Sequence, residues 1–342
     1  MVLRTKLFGH NYEFKSLREV MAKANEEKSG DKLAGIAAES AEERVAAKLV
    51  LSEITLQDVR NTPAVPYEED EVTRIIQDDV NERIYDEVKH MTVGEFREWL
   101  LAVETTGDMI RRASRGITSE IVAAVAKLMS NMDLVYAARK VRVQATCNTT
   151  IGKPGTFAIR VQPNHPTDDP KGILASVMEG LSYGAGDAVI GLNPVDDSME
   201  SVTRVLRAFD EFKNKWEIPT QQCVLAHVTT QIAAVEKGAP SDMIFQSIAG
   251  SQKANEAFGI TGQMIQDARD LMLTRGTAKG PNVLYFETGQ GAELSSDGHN
   301  GWDQLVMEAR CYGFAKRFQP FLVNTVVGFI GPEYLYDSKQ VI

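Results

Sequence analysis

"VLYFETGQG" (Val283–Gly291) decides how the chain is read. Its first four residues are all apolar, so the run has no polar face and suits a strand covered on both sides. It then breaks off at Glu287 and passes into a glycine turn. Five other stretches share this design: "TFAIRVQPN" (Thr156–Asn164), "DAVIGLNP" (Asp187–Pro194), "CVLAHVTT" (Cys223–Thr230), "MIFQSIAG" (Met243–Gly250) and "NTVVGFIGP" (Asn324–Pro332). Helical spacing fills the intervals, over Ile173–Leu181, Ser198–Trp216, Gln231–Lys237, Ser251–Leu273 and Trp302–Phe318. Alternation of this kind predicts a parallel sheet with crossover helices.

Nearly every run ends in polar residues: Arg160 and Gln162, Asn193, His227 with Thr229, Gln246 with Ser247, and Glu287. In a (β/α)8 TIM barrel such strand ends converge on one mouth, and the mouth carries the chemistry. A Rossmann-type sheet would instead put its glycines in the first strand-to-helix turn. "SYGAGDAV" (Ser182–Val189) has the glycine spacing but precedes its strand, which is the wrong context. The α/β barrel is therefore the expected fold. Six strands can be counted where a complete barrel needs two more βα units, so the expectation is either an incomplete sequence or an open fold.

The first 120 residues read differently, as helices without strand signal above background. Ser16 and Glu19 form a capping-box pattern at the head of "SLREVMAKANEE". Ser40 caps "SAEERVAAKLVLSEI", whose apolar spacing falls on Val45, Leu49 and Ile54. "NTPAVPY" (Asn61–Tyr67) is a proline-rich connector before further helical spacing over Asp70–His90 and Thr92–Glu104. The expected division is a helical N-terminal region, 1–120, and a C-terminally incomplete barrel, 121–342.

Composition narrows the function. Of 342 residues, 43% are apolar and 25% charged, with a net charge of −10. The sequence pI of about 5.2 argues against a basic stripe able to replace phosphate counterions, and so against non-specific nucleic-acid binding. No apolar run approaches the roughly 18 residues of a membrane span. The basic segment Met1–Phe14 is not followed by the hydrophobic stretch of a secretory signal. Three scattered cysteines, Cys147, Cys223 and Cys311, read as reduced thiols of a cytosolic protein.

Arg160 and Gln162 lie two apart in a strand and share a face. Together with Asn193 and Glu287 they place polar groups on three strand ends inside the expected lumen. Unpaired polar groups are costly there, so a polar ligand is the natural partner. Simpler readings stand beside this one. Glu287 could be tethered to the amides of Gly289–Gly291, Arg160 could do no more than neutralise it, and Asn193 could be a turn-maker before proline. "IGKPG" (Ile151–Gly155) lacks the leading glycine of a phosphate loop. No lysine stands at a strand end, and no histidine–carboxylate cluster has metal-ligand spacing. A polar lumen without an evident catalyst points to a cofactor for the difficult step.

Longer stretches carry a resemblance. "NTTIGKPGTF" (Asn148–Phe157), "GDAVIGLNPV" (Gly186–Val195), "VLAHVTTQ" (Val224–Gln231), "FQSIAGS" (Phe245–Ser251), "LYFETGQG" (Leu284–Gly291) and "FLVNTVVGFIGPEYLY" (Phe321–Tyr336) resemble the adenosylcobalamin-dependent ethanolamine ammonia-lyase large-subunit family. The N-terminal "LAGIAAESAEERVAAKLVLSEIT" (Leu33–Thr55) and "TRIIQDDVNERIY" (Thr73–Tyr85) are similar to the same family, so the likeness runs the length of the chain.

The resemblance implies a (β/α)8 barrel behind a helical N-terminal region, with adenosylcobalamin across the mouth against a separate small subunit. It implies conversion of ethanolamine to acetaldehyde and ammonia by radical chemistry. Substrate contacts then fall on Arg160, Gln162, Asn193, Glu287 and Phe329, with Glu287 and Arg160 as the catalytic pair. Cofactor contacts fall on Pro194, Gln246 and Ser295. A homo-oligomer of large subunits is implied, as is a cytoplasmic location within a bacterial microcompartment. Because the family continues past the point where this sequence stops, a truncated, non-catalytic assembly component of the same complex is the alternative.

Overall fold

The structure, a computed structural model, describes residues 2–26, 28–289 and 298–325. The chain opens with an antiparallel hairpin, β1 (Arg4–Leu7) and β2 (His10–Glu13), where only helices were expected. Leu3, Thr5 and Leu7 face inward between exposed Arg4 and Lys6, a period of two that the short basic segment spells faintly. The turn at Phe8 and Gly9 has φ of +49° and +88°, which only the glycine adopts without strain.

Capped helices follow. The Ser16 hydroxyl accepts from Glu19 N at 3.2 Å at the head of Leu17–Ala24. Ser40 accepts from Glu43 N at 3.1 Å at the head of Ala41–Ser52. In the second helix the buried face is Ala46, Ala47, Val50 and Leu51. Val45 and Leu49, the expected apolar positions, are exposed, whereas Ile54 is buried. The two alanines let Leu17–Ala24 approach closely, and its Val20, Met21 and Ala24 close the same core. The helix Ser119–Lys127, beyond the expected boundary at 120, joins that core through Ile121, Ala123, Ala124 and Val125.

A short hairpin, β3 (Ala145–Thr146) and β4 (Thr150–Ile151), precedes the parallel strands. These are β5 (Arg160–Val161), β6 (Val189–Leu192), β7 (Gln222–Val224), β8 (Ile244–Ile248), β9 (Leu284–Thr288) and β10 (Leu322–Asn324). Backbone ladders join β5–β6–β7 and β8–β9–β10, all parallel. Between β7 and β8 side chains replace the ladder. Buried Gln231 accepts from Phe245 N at 3.0 Å and donates to Ala226 O and Phe245 O at 2.6 and 2.7 Å. Asp242, fully buried, accepts from Gln222 N at 3.0 Å and pairs with Lys213.

The expected strand over Cys223–Thr230 ends early, because His227 caps a helix, Val228–Glu236. The expected helix Ser251–Leu273 is two, Gln252–Ala257 and Gly262–Arg275, parted at Gly259 with φ of +72°. Alternate strand residues face opposite ways. Val189, Cys223, Phe245 and Tyr285 meet in one inner cluster. Ile190, Leu192 and Val224 pack outward on the helices Pro170–Ser182 and Met199–Lys215, and Ile244, Leu284 and Phe286 on Gly262–Arg275 and Gln304–Phe318. Among the described residues no helix is long and apolar enough to cross a membrane.

One buried side chain joins the two halves. Arg310, on Gln304–Phe318, donates to Asp70 at 2.8 Å, Glu120 at 2.6 Å, Thr73 at 2.9 Å and the Gly250 carbonyl at 2.7 Å. Asp70 also caps Glu71–Asp78 and accepts from Gln252 N at 2.6 Å. The loop after β8 is thus held by the N-terminal helices. Arg310→Met leaves two buried carboxylates unpaired and should cost about 3–5 kcal/mol. The expected result is a thermal unfolding midpoint lower by several degrees, and an unchanged midpoint would show that the clamp adds nothing.

A second buried group ties Asp31 to the start of the same helix. Asp31 accepts from Asn25 Nδ2 and Gln304 N, both at 2.9 Å, beside a Lys127–Asp303 pair at 2.5 Å. Burial, reinforced by the charge of Asp303, pushes the Asp31 carboxyl up to about 6 from 3.8. The folded state therefore binds this proton more tightly than the unfolded chain does. The contribution to stability is full below about pH 4 and is lost as pH rises through about 6. Asp31→Asn should flatten that part of the pH dependence of the unfolding midpoint; an unaltered slope would remove Asp31 as its source.

Candidate active site at the strand ends

Tyr285 and Glu287 lie two apart on β9 and share its inner face. Strand register sets Glu287 beside Ser247 of β8 and Asn324 of β10. Arg160, at the start of β5, comes from across the sheet. Its Nη1 donates to Glu287 Oε1 at 2.6 Å and also to the Tyr285 hydroxyl, while Nη2 donates to Gln162 Oε1. In a flat sheet β5 and β9 would stand about 19 Å apart, four strand spacings, which is more than these two side chains can span. The strands therefore curl, and their inner faces look at each other.

Glu287 Oε1 accepts from three donors: Arg160, the Tyr285 hydroxyl at 2.5 Å and Asn324 Nδ2 at 3.1 Å. Glu287 Oε2 has no hydrogen bond among the described residues. Arg160 Nε is buried with no acceptor there either. Both side chains of the pair are mostly enclosed, at 18% and 19% exposure. Burial, then the hydrogen bond to Glu287, raises the Tyr285 phenol above its ordinary range, so it stays a neutral donor. Burial likewise pushes up the thiol of Cys223, which keeps it out of nucleophilic chemistry. The arrangement can hold a small polar molecule: a carboxylate oxygen is left to accept on one side, and a guanidinium is fixed on the other.

The expected residues separate into groups. Arg160, Gln162 and Glu287 are bonded together. Asn193 is exposed at the end of β6, its backbone N–H donating to Asn164 Oδ1 at 3.0 Å, with half-buried Pro194 next to it. The Gln246 side chain is buried and engaged, accepting from Val228 N at 2.9 Å and donating to Ser247 O at 3.0 Å. Ser295 and Phe329 lie outside the described residues. Among the described residues, Glu287 is held by side chains. The amide of Gly289 instead donates to Ile248 O at 2.7 Å, and a Cβ there would meet the Phe258 ring at 2.5 Å.

Sequence reasoning missed Tyr285, Asn324 and Asp168. The first was findable by the period of two from Glu287; the second opens the expected run Asn324–Pro332 but ends β10, Leu322–Asn324, so it was read at the wrong end of its strand. Asp168 gave no signal, because it sits in an irregular loop after β5. There, 1% exposed, it accepts from Val195 N at 2.9 Å and Asp196 N at 2.8 Å. It thereby fixes the loop that carries Asn193 and Pro194. Asp168→Ala should free those two amides at a cost of about 1–3 kcal/mol. Hydrogen exchange at Val195 and Asp196 should rise, and native protection in the variant would exclude this role.

The likeness to known proteins agrees with this geometry in extent. Residues 12–342 match the family described as "Ethanolamine ammonia lyase large subunit (EutB)". The ethanolamine ammonia-lyase large subunit of Salmonella typhimurium is 56% identical over 342 residues, which is all of this chain and 76% of that protein. The Escherichia coli large subunit is 55% identical over the same span and share. A match of this length and identity, covering every strand and helix described above, means that the chain belongs to the ethanolamine ammonia-lyase large-subunit family.

Proposed function

We propose that the chain acts as the large, catalytic subunit of an ethanolamine ammonia-lyase, converting ethanolamine to acetaldehyde and ammonia with adenosylcobalamin. The curled run β5 to β10 is, in this reading, six strands of a (β/α)8 barrel whose mouth is the strand-end site. The observation that carries the proposal is that all three bonds to Glu287 fall on Oε1, which leaves Oε2 without a hydrogen bond among the described residues beside a fixed Arg160. A carboxylate oxygen with spare acceptor capacity suits a substrate that brings an ammonium and a hydroxyl.

Each residue then has a part. Glu287 Oε2 accepts from the ammonium and the hydroxyl. Arg160 holds positive charge next to the migrating group and, by pairing with Glu287, fixes the carboxylate in place. Gln162 and Asn193, at the rim, set the orientation of the small molecule. Phe329 is assigned to excluding water.

The mouth fits a cobalamin. Exposed Gln162, Asn193 and Val195 and half-buried Pro194 make a rim of amide and apolar groups suited to a flat macrocycle fringed with amides. Pro194, Gln246 and Ser295 are the assigned contacts. Gln246 serves indirectly, since its side chain braces the start of Val228–Glu236. When bound, adenosylcobalamin supplies the radical chemistry that moves a hydrogen atom. The protein's own share is to bind, orient and keep water away. A small subunit, further large subunits and a microcompartment location complete the proposal.

The test combines the protein, its small subunit, adenosylcobalamin and ethanolamine, and follows acetaldehyde by coupled NADH oxidation. Glu287→Gln should lower kcat by about 100-fold or more while the thermal midpoint holds. Turnover near that of the unaltered protein would overturn the role of Glu287. Failure of cobalamin to bind with the small subunit present would favour the non-catalytic assembly component.

A further inference from the structure

We propose that Tyr285 is a positioning residue that selects which oxygen of Glu287 meets the substrate. The inference rests on the reading of Glu287 given above and goes beyond it. Neither the strand-end pattern nor the resemblance assigned Tyr285 a part.

The argument is one of hydrogen-bond capacity. Arg160 can only donate, and an ionised carboxylate can only accept. The single Tyr285 hydroxyl proton must therefore go to Glu287 Oε1, 2.5 Å away, while the phenolic oxygen takes the N–H of Arg160 Nη1. No other proton order satisfies all three groups. Tyr285 becomes a one-way link between cation and anion. With Arg160 and Asn324 also donating to Oε1, that oxygen is saturated, and the spare acceptor capacity of the carboxylate lies on Oε2.

The ring is placed to keep this order fixed. It is fully buried and packs edge-on against Phe245, with centroids 5.3 Å apart. The Arg160 guanidinium carbon stands 5.4 Å from its centroid. A ring so confined cannot swing its hydroxyl toward Oε2. Without the hydroxyl, Oε1 keeps Arg160 and Asn324 but loses its shortest donor, so the preference for Oε1 over Oε2 as the internally bonded oxygen weakens. Either oxygen can then face the lumen. The loss falls on substrate affinity first, because a carboxylate that must be reoriented binds a two-point amino alcohol less well.

The decisive comparison is Tyr285→Phe against Glu287→Gln in the assembled enzyme of full chain, small subunit and adenosylcobalamin. Ethanolamine binding is read by calorimetry, KM and kcat by acetaldehyde release, and folding by the thermal midpoint. Tyr285→Phe keeps the ring and its contact with Phe245. It should raise KM and the calorimetric Kd about tenfold, change kcat by less than about threefold, and leave the midpoint in place. Discrimination against 3-aminopropan-1-ol, which is one methylene longer, should also shrink. Unaltered KM and Kd beside an inactive Glu287→Gln would overturn the positioning role and leave the reading of Glu287 standing. A lowered midpoint with KM unmoved would make Tyr285 purely structural and overturn it too. Full turnover by Glu287→Gln would remove the reading and the inference together.

Discussion

A guanidinium and a carboxylate 2.6 Å apart, on strands that three others separate, set the terms for the rest of the molecule. The contact requires the parallel strands to curl. Curling gives them an inner and an outer face. The outer face must then be apolar and roofed by helices, which explains why "VLYFETGQG" and its counterparts lack a polar side along most of their length. The pair is only about four-fifths enclosed, so its attraction is tempered by water at the mouth. Tyr285 and Asn324 offset the rest of the desolvation by saturating one carboxylate oxygen. Much of the site's polarity is thereby consumed internally, and what is left over is directional.

The strand ends are held by neighbours instead of by their own turns. Asn164 and Asp168, after β5, grip the loop after β6. His227, after β7, has Nε2 2.9 Å from Phe258 O, so that nitrogen carries the proton and Nδ1 is left to accept from the Thr229 hydroxyl at 2.8 Å. Phe258 in turn closes over Gly289 at the exit of β9. Arg310, Asp70 and Gln252 anchor the loop after β8 to the N-terminal helices. Precision at the mouth thus comes from a chain of small polar links running from loop to loop. A rigid scaffold of this kind keeps the side chains at the strand ends in fixed relative positions.

Sequence made the strand–helix alternation legible because both-faced burial and polar strand ends are local patterns. The same patterns found Arg160, Gln162 and Glu287, which the fold brings into contact. The β1–β2 hairpin escaped notice because its period of two runs through only eight strand residues, three of them charged. The buried face of Ala41–Ser52 was misjudged because alanine carries little hydrophobic weight, yet two alanines there permit the closest helix approach. Val45 and Leu49 look like core and are not, since which face turns inward is decided by how Leu17–Ala24 packs on Ala46 and Ala47, which apolar spacing alone does not reveal. Asp168 was invisible for a related reason: its two acceptor bonds go to amides of another loop, and nothing in its own neighbours announces them.

Asp70 shows what such economy implies for evolution. One carboxylate caps a helix, neutralises Arg310 and holds the amide of Gln252. Asparagine would keep the cap and lose the charge. Glutamate would keep the charge and displace it by a methylene, missing the cap. Serine would serve the helix alone. Each of these replacements forfeits at least one of the three contacts, so Asp70 and Arg310 constrain each other. Since Arg310 in turn answers to Glu120 and Gly250, neither can drift singly. The cluster works only as a whole, and that ties the N-terminal helices to the loop after β8.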